Sequence, residues 1–473
     1  MSLLGLSQLL ASSAVPVQNV RRPHILLVVA DDLGFNDVGF HGSKQIPTPN
    51  MDALAATGVQ LDGYYVQPVC SPTRSCVMTG RHVIHSGIYD PDCSLGTTNA
   101  VPRNFTMLPK RLKALGYETH AVGKWHLGAI DPETVPTGRG FDTFYGYYSG
   151  AEDYFHHNVG GVGGKKQYLD IHDDIALNTV LRPAYGIDGQ YSTHLYASRA
   201  ERIIKQHAAA AASGPLFMYL AWQAIHSPDE VPDAYRNAFN GTIPPDGAAG
   251  EAKGTGLHRR IVAGMVACLD EGMGNVTDAL KSAGMMKDTV IFFTADNGGP
   301  AEGFNSNMAS NWPLRGMKRT LWEGGVRATA FITGAGLRKT GYVSHAMLHV
   351  TDIPISLLAL ALNGLDADPT DKASWKDWHE LVGKEEPRFQ LGDGVDAFAT
   401  LATGEASPRT EIIHEAHQAG HEDGNGQAIR VGDLKLIFEK GPMWHGEPTY
   451  SVPPPSRTAA RTQLVGIHTL PEL

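Results

Sequence analysis

The sequence predicts an α/β fold built on a large, mainly parallel central sheet flanked by helices. Three observations carry that prediction. His24–Ala30, Leu216–Trp222 and Thr289–Thr294 are continuous runs of large apolar residues. They do not alternate, which is the pattern of strands covered on both faces. Helical segments separate these runs, and strands that alternate with helices form parallel sheets. Each run also leads into polar, charge-bearing residues: Asp31-Asp32, His226 and Asp296-Asn297. Open α/β sheets bind ligands beyond the carboxyl ends of their strands, so groups far apart in sequence would converge there.

Size and composition set the outer bounds. At 473 residues the chain is too long for one small core, and a large unit plus a smaller one is expected. A net charge of −10 argues against nucleic acid as the main partner. The charge is dispersed, so an anionic ligand would need a local cluster of cations. The four cysteines, Cys70, Cys76, Cys93 and Cys268, form neither a disulfide framework nor a Cys-x-x-Cys zinc pattern. No apolar run reaches the ~20 residues of a membrane span. Residues 1–20, with Leu3, Leu4, Leu6, Leu9 and Leu10 before Ala-Ser-Ser-Ala, read as a signal-peptide remnant without a basic start. Asn104, Asn240 and Asn275 begin Asn-x-Ser/Thr sequons. The leader-like stretch points to a secretory route, ending in a lysosome or outside the cell, and only there would the sequons matter.

The elements follow in order. After the first strand, Thr48-Pro49-Asn50 opens a short helix that runs to Thr57 and stops at Gly58. The apolar, aromatic stretch Leu61–Val69 is extended and feeds a helix beginning at Cys70, where Pro72 fits the first turn because its missing N–H costs nothing. Leu108–Leu115 is an amphipathic helix closed by Gly116. Glu118–Val122 is a short strand running into Gly123-Lys124-Trp125-His126-Leu127-Gly128. A glycine and aromatic block, Gly140–Tyr148, precedes Glu152-Asp153-Tyr154 and a flexible region at Gly160–Gly164. Helices are expected at Tyr191–Ala212 and His258–Ala283, a strand at Ala328–Ile332, and a helix at His349–Leu362 with Pro354 in its first turn. Asn363–Arg409 reads as polar loop. A small C-terminal unit then carries a hairpin, Ala428–Val431 turning at Gly432-Asp433 into Leu434–Phe438, before a proline-rich tail at Pro453–Pro455. The division is a main domain over 21–400 and a small α+β sheet domain over 401–473.

The residues at the strand ends define a chemistry. Asp31, Asp32, Asp296 and Asn297 offer hard oxygen ligands, which favour Ca²⁺, with Mg²⁺ as the alternative. Arg74, Lys124 and Lys318 supply cations for an anionic group, the arginine as a fork and the lysines as point charges. His126 and His226 can move protons near neutral pH. Cys70 sits at a helix N-terminus, where the orphan N–H groups and the dipole favour an anion. Taken one at a time, each is more often packing or a solvated side chain. Together they describe a site for splitting a sulfate or phosphate ester.

The stretch Cys70-Ser-Pro-Thr-Arg74 followed by Met78-Thr-Gly-Arg81 resembles the signature of the type I sulfatases, in which the cysteine is oxidised to Cα-formylglycine by a separate formylglycine-generating enzyme. Gly123–Gly128, Asn311–Gly316, Trp322–Arg327 and Gly140–Gly146 with Glu152-Asp153-Tyr154 resemble the arylsulfatase B (N-acetylgalactosamine-4-sulfatase) branch of that family. The resemblance implies an alkaline-phosphatase-like domain, and a sulfated carbohydrate or aryl sulfate as substrate. Residue 70, as the formylglycine hydrate, would be nucleophile and calcium ligand, with Asp31, Asp32, Asp296 and Asn297 completing the shell. Arg74, Lys124 and Lys318 would neutralise sulfate, Arg74 also holding the hydrate. His226 would protonate the leaving alcohol or share that task with Lys318, and His126 would release the covalent sulfate. The branch usually has more cysteines and a longer C-terminal part, which leaves GalNAc-4-sulfate as the first of several substrates. Two rivals remain at this level. One is a phosphatase or phosphodiesterase on the same fold; the other is an unmodified protein that binds sulfated glycans without turning them over.

Overall fold

A computed structural model describes residues 20–160, 167–175, 183–210, 214–243, 255–302, 305–371, 392–414 and 426–438. The proposed leader, Gly161–Gly164 of the glycine-rich stretch and the proline-rich tail lie outside them.

Nine strands form the main sheet: β1 (His24–Ala30), β2 (Val59–Leu61), β3 (Glu118–Lys124), β4 (Thr143–Tyr147), β5 (His172–Ile175), β6 (Leu216–Ala221), β7 (Thr289–Ala295), β8 (Ala330–Gly334) and β9 (Tyr342–Ser344). Their order is β9-β2-β8-β7-β1-β6-β3-β4-β5. The five central strands, β7-β1-β6-β3-β4, are all parallel, and antiparallel β8 and β5 flank them. All residues of β6 and β7, and all but the first of β1, are buried, as their unbroken apolar sequences require. Helices α1 (Pro49–Thr57), α4 (Ser192–Ala209) and α5 (Thr255–Ser282) pack together as one group. A second group is α2 (Cys70–Thr79), α3 (Leu108–Ala114) and α6 (Asp352–Asn363).

Register brings the functional ends level. Ala30 lies opposite Ala295, Val29 opposite Ala221, and Gly123 opposite Ala221. Asp31, Asp296 and Lys124 therefore emerge on one edge. Backbone bonds tie that edge together: Asp31 N–H to Ala224 O at 3.0 Å, Ile225 N–H to Asp31 O at 2.7 Å, and Asp296 N–H to Ala30 O at 3.1 Å. Gly123 permits this approach. Its φ is +99°, and a Cβ there would sit 1.8 Å from the Ala221 carbonyl oxygen.

Several boundaries differ from the sequence reading. The last helix of the main domain starts at Asp352; Leu348–His349 instead pairs in parallel with Tyr64–Tyr65 as a short second sheet. The polar stretch 363–409 contains a helix, α7 (Phe398–Thr403), that buries Phe398, Leu401 and Ala402. Six residues are too few to show helical periodicity in a sequence. The C-terminal hairpin gains a third strand: β10 (Glu411–His414), β11 (Gln427–Val431) and β12 (Leu434–Phe438) form an antiparallel sheet.

That small sheet docks through one carboxylate. Glu323 Oε1 accepts from Arg430 Nη2 and Lys435 Nζ, both at 2.9 Å, and its Oε2 accepts from the Tyr65 hydroxyl at 3.0 Å. Around it Ile412, Ala428 and Ile437 pack on Leu321, Trp322 and Val326. Burial alone would push the Glu323 carboxyl up, but Lys435 and then Arg430 outweigh it and hold the group at about 2. A depressed carboxyl stabilises the fold above its unfolded value of 4.5 and loses that contribution as pH falls toward 2. The difference in thermal midpoint between wild type and Glu323→Gln is therefore expected to be constant above about pH 5 and to shrink between about pH 4.5 and 2. A difference that already closes at pH 6 would refute this docking.

Candidate active site

The site is built where β1, β3, β6 and β7 end, against the N-terminus of α2. Val69 is extended, with φ −154° and ψ 161°, and the chain turns directly into the helix at Cys70. All ten helix residues are buried, and Gly80 closes the helix in the left-handed conformation with φ +69°. The first turn thus aims Cys70 and Arg74 at the strand ends.

Charges pair across this edge. Lys124 Nζ lies 2.6 Å from Asp31 Oδ2, and Lys318 Nζ lies 2.8 Å from Asp32 Oδ2. Arg74 donates to Asp296 Oδ2 from Nε at 3.0 Å and Nη2 at 2.9 Å, and Nη2 is also 3.6 Å from Asp31 Oδ2. Arg74 Nη1 reaches the Tyr219 hydroxyl at 3.3 Å and the Lys124 carbonyl at 3.4 Å. Three carboxylates face three cations, and all six side chains are shut off from solvent. Burial, opposed by the Asp296 and Asp31 charges, leaves the Arg74 guanidinium held firmly protonated. Burial and then Asp31 push the Asp296 carboxyl up. Burial would lower the Lys318 amine, but Asp32, Cys70 and Asp31 together outweigh it and raise it.

Lys318 arrives from a loop rather than a strand. Asn311 staples that loop: its Oδ1 accepts from Gly299 N–H at 2.8 Å, and its Nδ2 donates to the Gly299 and Gly316 carbonyls at 2.7 and 3.2 Å. Gly298 allows the close crossing, since a Cβ there would lie 1.7 Å from the Gly324 carbonyl oxygen.

The oxygen cluster fits a hard cation. Asp31, Asp32, Cys70 and His226 each present a ligand atom, all within 4.8 Å of one another. Asn297 Nδ2 is held by Asp32 Oδ1 at 2.7 Å, while Asn297 Oδ1 is buried without a hydrogen-bond partner. A buried acceptor left unpaired is costly unless something positive meets it. Asp296 contributes less directly: its Oδ2 faces Arg74, and its Oδ1 accepts the Asp32 N–H at 3.2 Å. Asp32 itself holds φ +61°, a conformation uncommon outside glycine and one that collects at functional sites.

The two histidines face the cluster differently. His126 Nε2 is 3.0 Å from the Pro91 carbonyl, which only accepts, so Nε2 carries the hydrogen and the buried Nδ1 keeps an unpartnered lone pair. Burial and then Lys124 lower this imidazole well below its usual range. His226 Nδ1 is 2.6 Å from the Ser227 carbonyl, and its Nε2 is 3.7 Å from Asp32 Oδ2. Burial and then Lys318 bring His226 down to about 3. The Cys70 thiol, 3.6 Å from Asp31 Oδ1, is pushed up by burial and is a poor nucleophile as a thiol.

All ten anticipated residues thus meet in one buried cluster. Three supporting groups were not anticipated. Tyr219 holds Arg74. Tyr154 places its hydroxyl 2.9 Å from the His226 carbonyl. Asn305 places Nδ2 3.1 Å from His226 Nε2. Tyr219 lies within an apolar run that reads as a core strand, Tyr154 is a motif residue with no role assigned, and Asn305 is one polar residue in a polar loop. The sequons Asn104, Asn240 and Asn275 are exposed, Asn275 within α5.

Arg74→Ala would leave Asp296 charged and unpaired in a water-excluded site. An unfolding loss of about 3–5 kcal/mol in urea is expected. A loss below about 1 kcal/mol would mean that the pair is not buried as described.

A protein-family model described as Sulfatase matches residues 23–364. Arylsulfatase J of Mus musculus is similar at 38% identity over 451 residues, covering 92% of this chain and 66% of that protein. N-acetylgalactosamine-6-sulfatase of Homo sapiens is similar at 30% identity over 370 residues, covering 74% of this chain and 64% of that protein. The crystal structure of Ps i-CgsB in complex with k-i-k-neocarrahexaose superposes with a TM-score of 0.71 at 27% identity, covering 88% of this chain and 84% of that one. The chain spans about two thirds of the length of the curated relatives it matches.

Proposed function

The chain belongs to the sulfatase family, and from that premise we propose that it hydrolyses sulfate esters of sugars or aryl alcohols, using residue 70 as a formylglycine nucleophile beside a bound Ca²⁺. One observation carries the reading. Cys70 opens a buried helix within a cluster that holds three carboxylates, three cations and an Asn297 oxygen with no partner. A phosphatase of this shape would favour Ser or Thr at that position, and a two-metal zinc set.

The hydrate of formylglycine, made from Cys70 by a formylglycine-generating enzyme, supplies one hydroxyl to attack sulfur and a second whose deprotonation frees the sulfate. Calcium supplies positive charge toward nucleophile and sulfate oxygens, with Mg²⁺ the alternative ion. Asp31, Asp32 and Asn297 would hold the ion. Asp296, bound by Arg74, fixes the Asp32 backbone beside it. Lys124 and Lys318 are placed to meet sulfate oxygens, and Arg74 holds the nucleophile's surroundings in place. The unpartnered Nδ1 of His126 suits proton removal from the second hydroxyl. Lys318 and His226 would face the side where the alcohol departs, the protonated Lys318 amine delivering its proton and the neutral His226 lining that side.

GalNAc-4-sulfate is the first substrate to try. The GalNAc-6-sulfatase relative makes the 6-sulfate the second. The carbohydrate in the Ps i-CgsB complex extends the range to sulfated polysaccharides. A secretory route, to a lysosome or outside the cell, fits the leader-like start and the exposed sequons. Among the described residues no helix is long and apolar enough to cross a membrane.

Protein from a host that has the modifying enzyme is expected to turn over 4-nitrophenyl sulfate far faster than 4-nitrophenyl phosphate. The mass of its Cys70 peptide should be that of formylglycine, and Cys70→Ala should keep the fold and lose turnover. Turnover of phosphate alone would refute the reading, and an unmodified thiol in that host would favour a glycan binder. Metal adds a second, activity-independent check. Ca²⁺ at about 100 times its Kd should stabilise chelator-treated protein by about 2.7 kcal/mol, and Asn297→Ala should cut the gain. A midpoint that neither Ca²⁺ nor Mg²⁺ moves would remove the metal from the proposal.

A further inference from the structure

We propose that Asn305 contacts the substrate on the leaving-group side of the ester, donating a hydrogen bond from its side-chain amide to the oxygen that departs from sulfur. The inference rests on the sulfatase reading and adds a residue that none of the sequence motifs contains.

The hydrogen bonds around His226 fix the orientation. Its Nδ1 is 2.6 Å from the Ser227 carbonyl, so Nδ1 carries the hydrogen. In the neutral ring Nε2 is then an acceptor, and the Asn305 atom 3.1 Å away is the donating Nδ2. That same Nε2 points into the acidic cluster, 3.7 Å from Asp32 Oδ2. The Asn305 amide therefore touches His226, the residue proposed to line the side of the departing alcohol. Nδ2 has two hydrogens, and the second has no partner among the described residues. Asn307, two residues on, anchors the loop by donating to the Ile225 carbonyl at 2.6 Å.

The backbone points the same way. Asn305 has φ +56°; Asp32 and His126 in the site share this region, as do His157, Met308 and Arg319 outside the ten site residues. Non-glycine residues held in that region cost energy and cluster where function requires them.

The chemistry assigns the amide a definite task. As the bond from residue 70 to sulfur forms, the bond from sulfur to the alcohol oxygen breaks, and its electron pair stays on that oxygen. The oxygen then takes a proton from the Lys318 and His226 side. Asn305 transfers no proton. Its N–H stabilises charge that develops on the oxygen before the proton arrives. The contribution should grow with the basicity of the alcohol, from small for 4-nitrophenol to large for phenol or a sugar hydroxyl.

The test compares kcat/KM for 4-nitrophenyl sulfate and phenyl sulfate in wild type, Asn305→Gly and Asn305→Asp. Glycine accepts φ +56° without strain, so the first variant removes the amide and spares the backbone. Aspartate keeps the shape and lacks the donor. Thermal midpoints report folding separately. Both variants are expected to lose about tenfold or more on phenyl sulfate beyond their loss on 4-nitrophenyl sulfate. Equal losses on the two esters, or none on either, would overturn the proposal. Wild-type rates on sulfate against phosphate test the sulfatase reading alone, and the ratio of losses tests Asn305 alone.

Discussion

Burying Asp31, Asp32 and Asp296 in a water-excluded cleft is tolerable only with positive charge beside them, and the placement of that charge constrains the rest of the molecule. Arg74 must come from a helix whose first turn faces the strand ends. Lys124 must be the last residue of a strand level with β1. Lys318 must be carried in by a loop that is itself pinned to Gly299. None of these can shift by one residue without stranding a carboxylate. The parallel register of β7, β1, β6 and β3 is what makes all of them meet.

The same constraint explains why the small C-terminal sheet belongs to this structure. Trp322-Glu323 lies a few residues beyond Lys318 in one loop. Glu323 binds Arg430 and Lys435 of that sheet, and Arg430 also lies over the Tyr65 ring at 4.9 Å. Tyr65 belongs to the segment that leads into Cys70. The sheet therefore clamps, from outside, both the nucleophile's approach strand and the lysine loop.

How much of this was legible in the sequence depends on what each residue answers to. β1, β6 and β7 were visible because two-sided burial forces an unbroken apolar run. The candidate site residues were visible because several acids and histidines follow such runs at once; any one of them alone would read as packing or a solvated side chain. The short strands β2, β5 and β9 were not, since three or four residues leave little pattern. Glu323 showed as a motif letter, but its partners lie more than a hundred residues away, and no local spacing records them. Arg74 read as a residue aimed at an anion. Its guanidinium instead binds Asp296 twice, a choice set by tertiary placement alone.

A further division follows from which elements build which end of the site. In the proposed reading the end that would meet sulfate is made by strand termini and a helix N-terminus, elements whose positions the buried sheet fixes. The end that would meet the alcohol is made by His226, Asn305 and the loops around them, which are held by side-chain bonds such as Asn307 to Ile225. Loops change length and sequence without disturbing the sheet. Sulfate chemistry should therefore leave a signature readable across a family, while the preferred alcohol should not. That is why Cys70 and its partners point to the chemistry at once, and why, on the proposal made for Asn305, the identity of the alcohol would be sought in the loop that carries it.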